Sequence, residues 1–301
     1  MPQRALPLAI TLFLLSALLT TGQLLAAPNN SPLPHTAAVP GGIVAVDLGP
    51  GSTTSDTAPE VRYNKKRVMV IQNDERWQAL VGIKLSTKPG QHQLKITGDK
   101  QTLAFTVQAK QYAEQHITLK NKRKVNPNKA DMKRIRGERG RINAALRHWQ
   151  QQATVQTRFI LPVVGRLSSP FGLRRFFNEQ PRKPHSGIDI AASEGTPIVS
   201  PAAGRIIENG NFFFNGNSVF IDHGQGLVTM YAHMSRIDVK PGQRVAQGEI
   251  IGAVGHTGRA TGPHLHWGVS LNDARVDPAL FFDDLESLLT APIKTQHKNT
   301  P

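Results

Sequence analysis

Between residues 158 and 282 the chain is broken at short intervals by turn signals: Asn209-Gly210, Asn215-Gly216, His223-Gly224-Gln225-Gly226 and Lys240-Pro241-Gly242. Asn-Gly favours the positive φ angles of a two-residue hairpin turn, and the segments between these turns lack helical periodicity. Parallel strands would need crossover helices, so residues 158–285 are expected to form an antiparallel β domain. Upstream, residues 43–48, 67–71, 77–85, 92–97 and 102–107 are short alternating runs separated by turns such as Pro89-Gly90 and Gly98-Asp99. Their spacing predicts a small β-sandwich over residues 41–110. The intervening residues 111–157 are basic. Within them Met132, Ile135, Ile142, Leu146 and Trp149 recur near helical spacing and predict an amphipathic helix over 129–152, with Gly137 and Gly140 as weak points or a bend. Its apolar stripe is expected to dock on a neighbouring domain, with an anionic membrane or wall as the second reading. The expected fold class is therefore mainly β.

The chemistry-bearing residues fall in three short segments. Residues 264–271 alternate apolar and polar, as in a half-buried strand, which puts His264 and His266 on one face and Leu265 and Trp267 on the other. Side chains two apart on a strand are roughly 6–7 Å apart, close enough to serve one site without touching. In His185-Ser186-Gly187-Ile188-Asp189-Ile190, period two would set His185, Gly187 and Asp189 on one face and the isoleucines on the core face. Imidazole plus carboxylate is a usual zinc donor mixture, to which His264 or His266 would add the third ligand of an open, catalytic site. A hydrogen-bonded His–Asp pair within one strand is the structural alternative. Tyr231-Ala232-His233 closes another alternating run and is the third segment.

The amino terminus has a short basic start, an apolar run over residues 5–19 and small residues at 24–27. That is the pattern of a secretory signal peptide, residues 1–26, with an uncleaved anchor as the alternative. Residues 28–40 read as a flexible lead-in and 286–301 as a disordered tail. With no cysteine, neither a disulfide nor a lipidated cysteine is available. A net charge of +15 on an exported chain points to anionic envelope polymers as partners. No basic stripe interleaved with aromatics supports nucleic acid.

In order and content, Ser169-Pro170-Phe171-Gly172, the His-x-Gly-x-Asp at 185–189, Gly195-Thr196-Pro197, Ala203-Gly204, Tyr231-Ala232-His233, Gly255-His256-Thr257-Gly258 and Gly262-Pro263-His264-Leu265-His266 resemble the lysostaphin/LytM-type zinc endopeptidases of peptidoglycan. The resemblance covers roughly residues 167–281 and implies a lysostaphin-like, duplicated-hybrid-type antiparallel β domain holding one Zn²⁺. It implies His185, Asp189 and His266 as zinc ligands, His264 as the proton-transferring residue and His233 as a hydrogen-bonding partner of the oxyanion, the two sharing these tasks if needed. Tyr231, His256 and Asn178 are candidate substrate contacts, Asn178 also as a residue that interacts with the zinc or covers the groove in a latent form, and His223 is expected to be structural. Peptidoglycan is the implied substrate, cut at D-alanyl to meso-diaminopimelate cross-links in a Gram-negative wall or at a glycine bridge in a Gram-positive one. A ligand-free, wall-binding or amidase-activating member is the competing class.

Overall fold

The computed structural model describes residues 33–51, 58–285 and 289. The expected leader and most of the carboxy-terminal tail lie outside them, and no described helix is long and apolar enough to cross a membrane. The first unit contains β1 (Ile43–Pro50), β2 (Val61–Tyr63), β3 (Lys66–Arg67), β4 (Met69–Asn73), β5 (Arg76–Gly82), β6 (Gly90–Ile96) and β7 (Thr102–Val107). These form a three-stranded sheet, β1-β5-β4, facing a four-stranded sheet, β3-β2-β6-β7. Val44, Val70, Val81, Leu94 and Phe105 fill the space between, so the alternating runs do make a sandwich. The other face of β1-β5-β4, with Ile43, Met69, Ile71 and Leu80, joins the core of the second unit. The two units are thus packed through apolar side chains rather than tethered.

The linker is more structured than its composition suggests. It holds β8 (Glu114–Ile117), the short helix α1 (Lys122–Val125) and α2 (Lys129–Leu146). Asn128 and Asp131 form a reciprocal capping box at the start of α2, and Arg123 grips the same Asp131 carboxylate. The helix runs through Gly137 and Gly140 but stops at Leu146, not at residue 152. Beyond it the backbone turns to satisfy the loop at Gln225, whose N–H donates to the Gln150 carbonyl and whose side-chain amide donates to that of Gln152. Only the carboxy-terminal end of the expected stripe is buried: Ala145 and Leu146 pack on Phe212, Phe220, Val228 and Met230, while Met132 stays exposed.

The second unit contains β9 (Arg166–Ser169), β10 (Arg174–Phe177), β11 (Gln180–Pro181), β12 (Ile188–Ala191), β13 (Pro197–Val199), β14 (Gly204–Phe212), β15 (Gly216–Gly224), β16 (Leu227–Met234), β17 (Arg236–Ile237), β18 (Arg244–Val245), β19 (Ile250–Ala253), β20 (His264–Leu271) and β21 (Ala274–Val276). Its main sheet has the order β18-β14-β15-β16-β20-β12-β9, with β21 added beside β20, and its strands pair antiparallel throughout. The strand at 264–271 is the one the alternation predicts. Leu265, Trp267, Val269 and Leu271 are buried on one face, and a fully buried aliphatic side chain contributes about 1.5–3 kcal/mol. The opposite face is covered by α2 only in part. Ser270 donates to the Leu146 carbonyl beneath the helix, and past the end of that cover the same face carries His266 and His264. The site therefore occupies the part of the sheet that the helical layer leaves open.

Candidate active site

Register brings the ligand candidates together. Asp189 on β12 lies directly opposite His266 on β20, and His266 in turn faces Ala232 on β16, whose small side chain leaves the imidazole its space. His185 is not on the strand, contrary to the period-two expectation. The segment before β12 is an irregular loop held by Gly172 N–H donating to the His185 carbonyl and His185 N–H donating to Leu173, and Pro181 and Pro184 restrict it further. The loop still delivers the ring: His185 Nε2 lies 2.9 Å from Asp189 Oδ1 and 3.0 Å from His266 Nδ1, and His266 Nδ1 lies 2.7 Å from Asp189 Oδ1. Gly187 is required by close packing. A Cβ there would stand 2.4 Å from the Trp267 carbonyl oxygen and 3.0 Å from His266 Cε1.

The three donors fit a metal ion. His185 Nδ1 lies 2.7 Å from the Pro170 carbonyl oxygen, which can only accept, so a neutral His185 carries its proton there and presents a lone pair at Nε2. That lone pair faces a carboxylate oxygen, an arrangement a cation satisfies and two acceptors alone do not. Burial raises the Asp189 carboxyl, but its close contacts with the His185 and His266 rings outweigh that and hold the group well below the usual carboxylate range. Burial likewise lowers His266 to about 4, leaving a neutral ligand at ordinary pH. Among the described residues this is the triad of His and Asp side chains able to hold a metal.

His233 and His264 stand beside it, their ring centroids 4.8 Å apart, and His233 is 6.1 Å from His266. Simple alternation along β16 would turn His233 into the core with Tyr231. Instead its φ of 64° breaks the alternation, and its N–H donates to the Asn215 carbonyl. A non-glycine residue there stores about 1–3 kcal/mol of strain, which the surrounding pairing must hold. Its Nδ1–H donates to the Thr257 carbonyl at 2.7 Å, and His264 Nδ1–H donates to that of Gly262 at 2.8 Å. Both imidazoles, when neutral, therefore offer Nε2 as a proton acceptor. Burial, reinforced by His266 and His264, pushes His233 down to about 3.

The remaining candidates do not meet the site. Tyr231 is fully buried, with its hydroxyl hydrogen-bonded to Thr229, because the unbroken part of β16 turns it inward. His256 is exposed and paired with Glu194 at 3.0 Å. Asn178, in the β10–β11 turn, clamps the backbone of Leu119 through both amide atoms and reaches no ligand. His223 is structural as expected, bonded to the Ala203 carbonyl and Thr229. Sequence reasoning missed Arg175. Its Nη2 donates to Asp189 Oδ2 at 2.7 Å and to Ser169 Oγ at 3.1 Å, and its Nε donates to Gln115. Gln115 lies on β8, which pairs in parallel with β10, so the linker reaches the ligand set through one arginine. The same linker walls the groove of about 290 Å³ above the triad with Ile117 and Leu119. A basic residue shortly before the first ligand was the only sequence signal available.

The family signature described as Peptidase family M23 matches residues 183–278, and the Peptidase family M23 N-terminal domain matches 36–110. DD-carboxypeptidase/endopeptidase Mpg of Neisseria meningitidis is 45% identical over 116 residues, 38% of this chain and 27% of that protein. Peptidoglycan DD-endopeptidase ShyA of Vibrio cholerae is 45% identical over 103 residues, 34% of this chain and 24% of that protein. The matched stretch thus spans about a quarter of the length of these relatives. A crystal structure from Pseudomonas aeruginosa assigned to peptidase M23 is 44% identical, with a TM-score of 0.68 over 82% of this chain and 95% of that one. With likeness of that extent across both units, the chain belongs to peptidase family M23.

Proposed function

We propose that the chain is a zinc-dependent endopeptidase that hydrolyses peptide bonds of peptidoglycan cross-links in the cell envelope. The observation that carries the reading is the convergence of His185 Nε2, Asp189 Oδ1 and His266 Nδ1 beneath a groove also lined by His233 and His264. Three protein ligands with an open side are the arrangement of a catalytic rather than a structural zinc site. When bound, zinc supplies Lewis acidity, lowering the pKa of water and polarising a carbonyl. The chain's own residues do the rest. His264 takes the proton of the attacking water at Nε2 and returns it to the leaving amine, its ring held by the Gly262 carbonyl. His233 shares the acceptor role: with Nδ1–H committed to Thr257 and the ring neutral, its Nε2 has no proton to offer an oxyanion until it has accepted one. Arg175 orients Asp189.

The relatives named as peptidoglycan DD-endopeptidases support a D,D bond as the target, D-alanyl to meso-diaminopimelate. The complete ligand set argues against an inactive wall-binding protein. The test is digestion of purified peptidoglycan by the native protein, the chelator-treated protein and the zinc-restored protein, with mass spectrometry of the products. The reading expects cross-linked dimers converted to monomers, lost with chelator and regained with zinc. Dimers left intact by zinc-loaded protein would refute it.

A further inference from the structure

The groove is charged unevenly. Of its lining side chains only Asp189 is acidic, and Arg175 occupies that carboxylate's second oxygen. Three further cations, Lys183, Arg259 and Arg275, line the same groove. Arg259 is the best organised of them. Its guanidinium carbon lies 4.5 Å from the Phe177 ring centroid and 4.4 Å from that of Phe214, so the group makes cation–π contact with two aromatic rings. Its own backbone N–H is anchored to the Phe214 carbonyl. Among the described residues it makes no side-chain hydrogen bond and no ion pair. Arg175 and Arg182 instead press further positive charge on it, and together with burial, the larger cause, they lower its pKa to about 10. Arg275 repeats the theme in part: among the described residues one guanidinium nitrogen donates only to the Met230 sulfur and the other, Nη1, is buried without a hydrogen-bond partner, while the Asp273 carboxylate partly offsets the burial of its charge. A guanidinium desolvated without an anion is costly, and one that lines a groove marks a place where a ligand can supply the missing acceptor.

We propose that Arg259, assisted by Arg275, is a carboxylate-binding subsite, so that the groove selects peptides carrying a free carboxylate close to the scissile bond. The inference rests on the endopeptidase reading for the identity of that bond. Contact with two rings restricts the guanidinium, so its forked N–H donors can meet a carboxylate with less loss of side-chain freedom. The subsite discriminates against neutral bridges, which would leave the guanidinium unpaired.

The experiment uses the full chain and a synthetic stem peptide, compared with the same peptide bearing amidated carboxylates. Affinity is measured by isothermal titration with zinc removed, so the result does not depend on hydrolysis. The acid peptide is expected to bind at least about tenfold tighter than the amide, the difference a charge-assisted hydrogen bond makes. In Arg259→Gln the ratio falls towards one, while Arg259→Lys keeps part of it. Equal binding of the two peptides by the native protein would overturn the proposal, as would an Arg259→Gln variant that weakens both alike. If Arg259→Gln does not fold, the native acid-to-amide ratio and the lysine variant decide. Hydrolysis of acid and amide dimers by zinc-loaded protein is the second arm. If neither dimer is cut while the binding preference persists, the endopeptidase reading fails and the subsite stands. If both dimers are cut and bound equally well, the reverse holds.

Discussion

Gly187→Ala tests how the ligand set is held together. The residue sits between His185 and Asp189, two of the three proposed ligands, and its added Cβ would lie 2.4 Å from the Trp267 carbonyl oxygen and 3.0 Å from both the Trp267 carbonyl carbon and His266 Cε1. Trp267 is fully buried at the centre of β20, paired with Ile188 on one side and Tyr231 on the other, so the carbonyl has no inexpensive way to retreat. Relief must come from parting β12 and β20, which moves His266 away from His185 and Asp189. Overpacking of this kind costs about 1–3 kcal/mol. At 2 kcal/mol the metal-free melting temperature falls by about 4–8 °C for a protein of roughly this size. Zinc at a hundred times its Kd adds about 2.7 kcal/mol, and a tenfold weaker site loses about 1.4 kcal/mol of that. Thermal unfolding with and without zinc reads both effects. A Gly187→Ala protein that melts within a degree of the native protein and gains as much from zinc would refute the packing argument.

Gly137→Ala and Gly140→Ala should each raise stability by about 1 kcal/mol, since nothing lies within 4 Å of either added Cβ, as read by denaturant unfolding. Asn178→Ala should cost about 1–2 kcal/mol through its two bonds to Leu119 while leaving zinc content at the native level, measured by metal analysis. Burial holds His223 at about 4, His233 at about 3 and His266 at about 4. Each value lies below its unfolded counterpart, so the metal-free protein should keep full stability above pH 6.5 and lose it as pH falls towards 5. The slope is at most about 1.4 kcal/mol per pH unit for each histidine. A denaturation midpoint that is flat across that window would contradict the burial assigned to these rings.

Local pattern made β20 and its two faces legible, because alternation and burial agree there: Leu265 and Trp267 point inward and His264 and His266 outward. It misplaced His185, whose position is set by backbone bonds to Gly172 and Leu173 rather than by strand period. The orientation of His233 was also beyond it, since one left-handed residue reverses the alternation that puts Tyr231 in the core. Arg175 and the β8 strand were hidden for another reason. Glu114–Ile117 is too short to declare itself, and it becomes a strand only by pairing in parallel with Arg174–Phe177, far along the chain. Likewise, the aromatic rings beside Arg259 come from Phe177 and Phe214, contacts that only the tertiary fold creates.

The two histidines of β20 share a face two residues apart, yet only His266 points a nitrogen at Asp189 and His185. Zinc content and hydrolysis of cross-linked peptidoglycan, measured side by side on His266→Ala and His264→Ala, therefore test the division of labour directly. The account predicts that His266→Ala loses both metal and hydrolysis, whereas His264→Ala keeps about one zinc per chain, as a single three-ligand site requires, and loses hydrolysis. Native zinc in His266→Ala, or native hydrolysis in His264→Ala, would contradict it.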